Sequence, residues 1–134
     1  MIRIVTIPPL LLIDHQCSGI FCVGMNYVDH CTEQNFPIPD EPIIFNKLPR
    51  CIRGPDDDLL HNPIVPNLDF EVELAIVIGK RCRYVSEEEA PGVIAGYTVA
   101  HDVSARHWQL KRNGGQWVSD CFVAVFCTLL FCSC

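Results

Sequence analysis

Three carboxylates at alternate positions, Asp69, Glu71 and Glu73, open an otherwise apolar run, DFEVELAIVI, over residues 69–78. Side chains of a strand alternate between faces, so these three share one face and Phe70, Val72 and Leu74 share the other. Beyond residue 73 the run is wholly apolar, as expected of a buried strand. Carboxylates on a strand that enters a core repel one another and are costly to desolvate. A hard divalent cation would relieve both problems, because Mg²⁺, Mn²⁺ and Ca²⁺ prefer carboxylate oxygens. The competing reading is the solvated face of an edge strand, and this segment alone leaves the two open.

Asp102 ends a second apolar strand, beside His101 and shortly before Ser104 and Arg106. It either completes a carboxylate site with Glu71 and Glu73 or caps a helix over 103–111. His30 and Glu33 stand three apart on a short helix, which sets them on one face. A carboxylate that orients an imidazole makes a general base near neutral pH. In isolation such a pair is more often a plain surface contact. Lys47, Arg106 and Gln109 are each able to bind a carboxylate or carbonyl, and each alone is more often a surface residue. His15, His61 and His107 gain no role from spacing.

The elements that position these residues are short. Residues 20–24, IFCVG, read as a buried strand ending at glycine. Asn26 is placed to cap a helix over 27–35, and Pro37, Pro39 and Pro42 forbid its continuation. Residues 43–45 read as a strand, and 54–66 as loop. The strand at 69–78 stops at Gly79-Lys80. Ser86 followed by Glu89 is a capping-box pattern, predicting a short helix around 87–94. A strand over 96–103 follows, then a helical turn over 104–111 and a turn at Asn113-Gly114-Gly115. Strands and short helices alternate irregularly, which predicts a mainly β or α+β fold rather than a doubly wound sheet.

Composition narrows the function classes. The chain has 134 residues, room for one domain. It is 49% hydrophobic, which argues against general disorder. Ten Lys and Arg face 16 Asp and Glu with no basic run, so nucleic acid is not an expected partner. No uncharged apolar stretch reaches 18 residues, so no membrane-spanning helix is expected. The nine cysteines are odd in number and form no CxxC, which predicts neither a disulfide framework nor a zinc cluster. Scattered cysteines in an acidic chain suggest a reducing, intracellular compartment, mitochondrial or cytosolic. The apolar start at 1–16 is broken by Pro8-Pro9 and lacks a signal-peptide cleavage pattern, so it reads as an edge strand and loop.

Taken together, the motifs resemble the fumarylacetoacetate hydrolase family, most closely its domain-containing branch. They are VGMNYVDHCTE (23–33), PIIFNK (42–47), DFEVELA (69–75), GYTVAHDVSAR (96–106) and Trp108-Gln109, in family order and with family-like spacing. The resemblance implies a mixed β-sandwich or roll with short helices. It implies a divalent metal, Mg²⁺ first and otherwise Mn²⁺ or Ca²⁺, on Glu71, Glu73 and Asp102. It implies His30 and Glu33 as a water-activating pair on a mobile lid, and Lys47, Arg106 and Gln109 as substrate-binding groups. The implied substrates are acylpyruvates and related β-diketo acids cleaved at a carbon–carbon bond, or oxaloacetate, which is decarboxylated. A homodimer is the implied assembly.

The resemblance stops near Trp117. The family continues with a Gly-Lys pair and later a Thr-Gly-Thr-Pro segment, whereas this chain runs into Val118-Ser119-Asp120 and a 14-residue end without charge that carries four cysteines. The expected organisation is therefore a lead-in over 1–19, a partial catalytic domain over 20–117 and a divergent apolar tail over 118–134. A sandwich incomplete at the C-terminus would leave strand edges exposed. The alternative function is a catalytically incomplete relative that binds metal or pairs with a longer homologue.

Overall fold

The computed structural model describes residues 17–53, 57–59, 61–65, 67–112, 114–115 and 117. The lead-in over 1–16 and the apolar tail over 118–134 lie outside the described residues. Two antiparallel hairpins organise the rest. Strands β1 (Ile20–Gly24) and β2 (Ile43–Lys47) pair from Ile20 opposite Lys47 to Gly24 opposite Ile43. Strands β3 (Leu68–Ile78) and β4 (Ile94–Ala105) pair from Leu68 opposite Ala105 to Ile78 opposite Ile94. Helix α1 (Val28–Glu33) lies between β1 and β2, and α2 (Arg106–Leu110) follows β4 directly. This is the mainly β arrangement with short helices that the pattern predicts, formed here as two ribbons.

Local chemistry sets where each element ends. Helix α1 starts at Val28, with Tyr27 rather than Asn26 at the N-cap and no side-chain cap bond. Met25 takes a left-handed φ of 54° just before, which turns the chain sharply out of β1 and leaves Asn26 outside capping position. At the other end Asn35 also has φ 54°, and the Phe36 amide donates to the Cys31 carbonyl at 2.9 Å, a left-handed helix stop. The capping box at Ser86 and Glu89 does form. The Ser86 amide donates to Glu89 Oε2 at 3.2 Å, and the Glu89 amide donates to Ser86 Oγ at 3.3 Å. No α-helix follows, because Pro91 and Gly92 interrupt it, and the segment is a turn and a 3-10 helix over Ala90–Val93. A second 3-10 turn, Pro49–Cys51, falls where no element was expected.

The core is divided. Ile20 and Cys22 are buried in the first hairpin with Cys17, Phe45 and Ile52 against them. Val65, Val103 and Ala105 form a second cluster with Leu59, Leu68 and Trp108. Of the five described cysteines, Cys22, Cys31 and Cys51 are buried, Cys17 is half-buried and Cys82 is exposed. Along β3 the carboxylate-bearing face continues into buried Ala75 and Val77, while Phe70, Val72 and Leu74 on the other face are each more than half exposed. The expectation that everything beyond residue 73 is buried therefore fails at Leu74, which keeps the alternation of the first half. Among the described residues no helix is long and apolar enough to cross a membrane.

The ribbon of β3 and β4 ends in a close approach. The register shifts between Val77 and Ile78, and the Gly79 amide donates to the Val93 carbonyl at 2.9 Å. A Cβ on Gly79 would sit 2.6 Å from the Ala95 Cβ, inside van der Waals contact. We expect Gly79→Ala to destabilise the chain by about 1–3 kcal/mol, the range for overpacking. Adding Ala95→Gly should recover part of that loss. Urea unfolding of the single and double variants measures both.

Candidate functional site: an acidic ribbon face beneath a helix

The register of β3 and β4 sets Glu71 directly opposite Asp102 and Glu73 opposite Ala100. Residues directly opposite in an antiparallel pair share a face, so Glu71, Glu73 and Asp102 stand together on one side of the ribbon. Asp69 stands on that side too, opposite Ser104. A cavity of about 1010 Å³ opens over this face. From α1 and the turn before it, Tyr27, His30 and Glu33 line it, and from the far end of the ribbon Arg106 and Gln109 do so.

Each carboxylate has a different environment. Asp102 is buried and forms an ion pair with buried Lys47, which reaches across from β2. Asp102 is therefore a strand residue and not a helix cap, since Ala105 occupies the N-cap of α2. Glu71 pairs with the Arg106 guanidinium. Among the described residues Glu73 has no cationic partner of this kind. Burial holds its carboxyl above the ordinary value of 4.5, the neighbouring Tyr27 hydroxyl pulls it back down, and Asp102 raises it again. Its Oε2 atom is buried with no hydrogen-bond partner among the described residues. Burial also raises the Tyr27 hydroxyl, although the neighbouring Leu74 backbone opposes that.

The arrangement is suited to a hard cation in donor type and in register. Three carboxylates share one face, and one of them presents an orphaned buried oxygen of the kind a metal satisfies. In their present placement no three His, Cys, Asp or Glu side chains among the described residues converge on one point. The reason is local: Lys47 draws Asp102 and Arg106 draws Glu71. Those two cations neutralise the acidic face from within.

The other residues singled out by sequence separate into two groups. His30, Glu33, Arg106 and Gln109 all line the cavity. His30 acts electrostatically on Glu73, and among the described residues no hydrogen bond joins it to Glu33. Lys47 is buried on Asp102 and is not among the lining residues. Sequence reasoning passed over Tyr27, which a lone tyrosine in a helix-entry turn does not advertise. It also left Asp69 out of the site, although Asp69 has the same parity as Glu71 and Glu73. Trp117 closes one wall, edge-on to Phe45 with ring centroids 5.2 Å apart. It needs glycine at position 24, where a Cβ would lie 2.2 Å from the indole ring.

Two outcomes follow from these environments. Removing one partner of a buried ion pair strands the other charge, so Lys47→Met should cost about 3–5 kcal/mol in urea unfolding. The double variant Lys47→Met, Asp102→Asn should lose less. The second outcome concerns pH. The Glu73 carboxyl ionises at higher pH in the folded chain than in the unfolded chain. Folding stability therefore falls as pH rises from 4.5 through the raised folded value. In metal-free buffer Glu73→Gln should melt above the parent at pH 7, with the gap shrinking toward pH 4.5; thermal melts across that range test the sign.

Comparison with known proteins relates the chain to a family. The fumarylacetoacetate (FAA) hydrolase C-terminal domain model matches residues 19–129. The bovine protein named oxaloacetate tautomerase FAHD2A, mitochondrial, is 54% identical over 110 residues, and its human counterpart is 53% identical over the same length. Each match takes in 82% of this chain and 35% of the relative, so the chain spans about a third of the length of these curated relatives. Among solved structures, the 5-carboxymethyl-2-hydroxymuconate delta-isomerase of Mycobacterium smegmatis superposes with a TM-score of 0.67 at 36% identity. That match covers 84% of this chain and 47% of the other. On the family-model match, the sequence identity and the shared fold, the chain belongs to the fumarylacetoacetate hydrolase family.

Proposed function

We propose that the cavity over the β3–β4 ribbon interconverts or cleaves β-keto acids of the oxaloacetate class through an enolate. The observation that carries this reading is the meeting of three kinds of group in one cavity: the acidic ribbon face, the His30 and Glu33 pair, and the Arg106 and Gln109 pair. The relatives named oxaloacetate tautomerase support the substrate class, and their mitochondrial names support a mitochondrial setting.

The chemistry asks for a proton to leave the carbon between two carbonyl carbons and for another to reach the carbonyl oxygen. Imidazoles exchange protons near neutral pH, and His30 lines the cavity, so it is the group we assign to that transfer. Glu33 would orient and charge-balance the imidazole from one helical turn away. Arg106 and Gln109 would hold the carboxylate and carbonyl ends of the substrate, with the guanidinium matching a carboxylate in geometry and charge. Glu71, Glu73 and Asp102 would hold a divalent cation, Mg²⁺ by preference of the donor type. When bound, such a cation supplies Lewis-acid stabilisation of enolate charge.

A second reading, hydrolytic cleavage of acylpyruvates, draws on His30 and Glu33 both lining the cavity, where an imidazole base could activate a water. The two readings share the enolate and differ in whether water attacks. The purified chain, supplied with Mg²⁺, oxaloacetate or acetylpyruvate, separates them by product. We expect keto–enol interconversion of oxaloacetate that requires the cation and is lost in Glu71→Ala. His30→Ala should lower the rate by about 100-fold or more. Turnover that ignores the cation and survives Glu71→Ala would refute the assignment. Cation binding without any turnover would instead identify a non-catalytic member.

A further inference from the structure

The strongest unassigned feature of the cavity is the way Arg106 is held. Its Nε donates to Asp69 Oδ2 at 2.8 Å, its Nη1 donates to Gln109 Oε1 at 2.7 Å, and its Nη2 meets Glu71. A guanidinium has five N–H donors in a rigid plane. Three are engaged here, which leaves one on each terminal nitrogen, the number a carboxylate takes in a bidentate contact.

We infer that Asp69 is a positioning residue: it fixes the Arg106 guanidinium at the cavity wall so that the two remaining donors receive the carboxylate of a keto acid. The inference rests on the reading of the cavity given above. Three observations carry it. Asp69 is itself oriented, because its other oxygen, Oδ1, accepts the Phe70 amide at 3.1 Å. The Asp69 side chain is 49% exposed and that of Arg106 27%, and pairs this open add little to stability. Stability therefore gives no sufficient reason for the contact. Lastly, Glu71 has two demands on it, from Arg106 and from the carboxylate face, whereas Asp69 stands opposite Ser104 beyond the triad. With Glu71 engaged elsewhere, Asp69 and Gln109 still hold the guanidinium from two sides.

The sign of the effect makes the inference testable. Removing a negative charge beside an anion site would by itself tighten anion binding. Removing a positioning group should loosen it. Malonate, a simple dicarboxylate, is titrated calorimetrically into the full 134-residue chain with Mg²⁺ present, using the parent, Asp69→Asn, Asp69→Glu and Arg106→Ala. Asp69→Asn is expected to weaken malonate binding by about tenfold, the scale of one charge-assisted hydrogen bond. Its melting temperature should move by no more than a few degrees, and Asp69→Glu should restore part of the affinity.

Unchanged or tighter malonate binding in Asp69→Asn, with binding lost in Arg106→Ala, would overturn the positioning role and leave the cavity assignment intact. Loss of cooperative unfolding in Asp69→Asn would overturn it as well, since Asp69 would then be structural. A parent that takes up no malonate would overturn the cavity assignment, and this inference with it.

Discussion

A lysine and an aspartate from separate hairpins meet in the interior, and the site depends on that meeting. Lys47 ends β2 and Asp102 lies in β4, 55 residues later, and both side chains are almost fully buried. Neither hairpin alone could bury its charge, because an unpaired ion in a low-dielectric interior is strongly unfavourable. Docked together, each supplies the other's counter-charge. The docking also brings the α1 side of the cavity over the ribbon, so that His30, Glu33 and Tyr27 face Glu71 and Glu73. A buried ion pair is weak evidence for net stability. Its clearer effect is to specify one relative placement of the two ribbons.

The ribbon inverts the usual arrangement of a half-buried strand. Its carboxylates lie on the face that continues into buried Ala75 and Val77, and its larger apolar side chains, Phe70, Val72 and Leu74, lie on the exposed one. Such an arrangement is costly unless the carboxylates are compensated. Compensation comes from outside β3: Lys47 from β2, Arg106 from α2 and the Tyr27 hydroxyl from the turn before α1. Glu73 is the least compensated of the three, and its raised carboxyl and orphaned Oε2 record that deficit. Local departures from optimal burial of this kind concentrate where a protein handles charged ligands.

Much of the local structure was legible from the chain alone. The strands at 20–24, 43–45 and 69–78 lie within one or two residues of β1, β2 and β3, because each combines apolar content with a glycine or proline boundary. The strand read at 96–103 is the core of β4, which extends two residues further at each end. The capping box at Ser86 and Glu89 formed its two reciprocal bonds, yet Pro91 limited it to a turn and a 3-10 helix. The N-cap moved from Asn26 to Tyr27 because Met25 adopts a left-handed φ, a choice that no side-chain pattern announces.

By itself, the sequence determined that Asp69, Glu71 and Glu73 share a face, since strand periodicity is a property of the backbone. It also set His30 and Glu33 one turn apart and ordered the motifs along the chain. Only the tertiary structure decided which partner each charge received. Register put Asp102 across from Glu71, the docking of β2 put Lys47 on Asp102, and the start of α2 put Arg106 between Asp69, Glu71 and Gln109. The ion pairs among them join residues 35 to 55 positions apart, and contacts at such separations follow from how elements pack rather than from the period of any one of them.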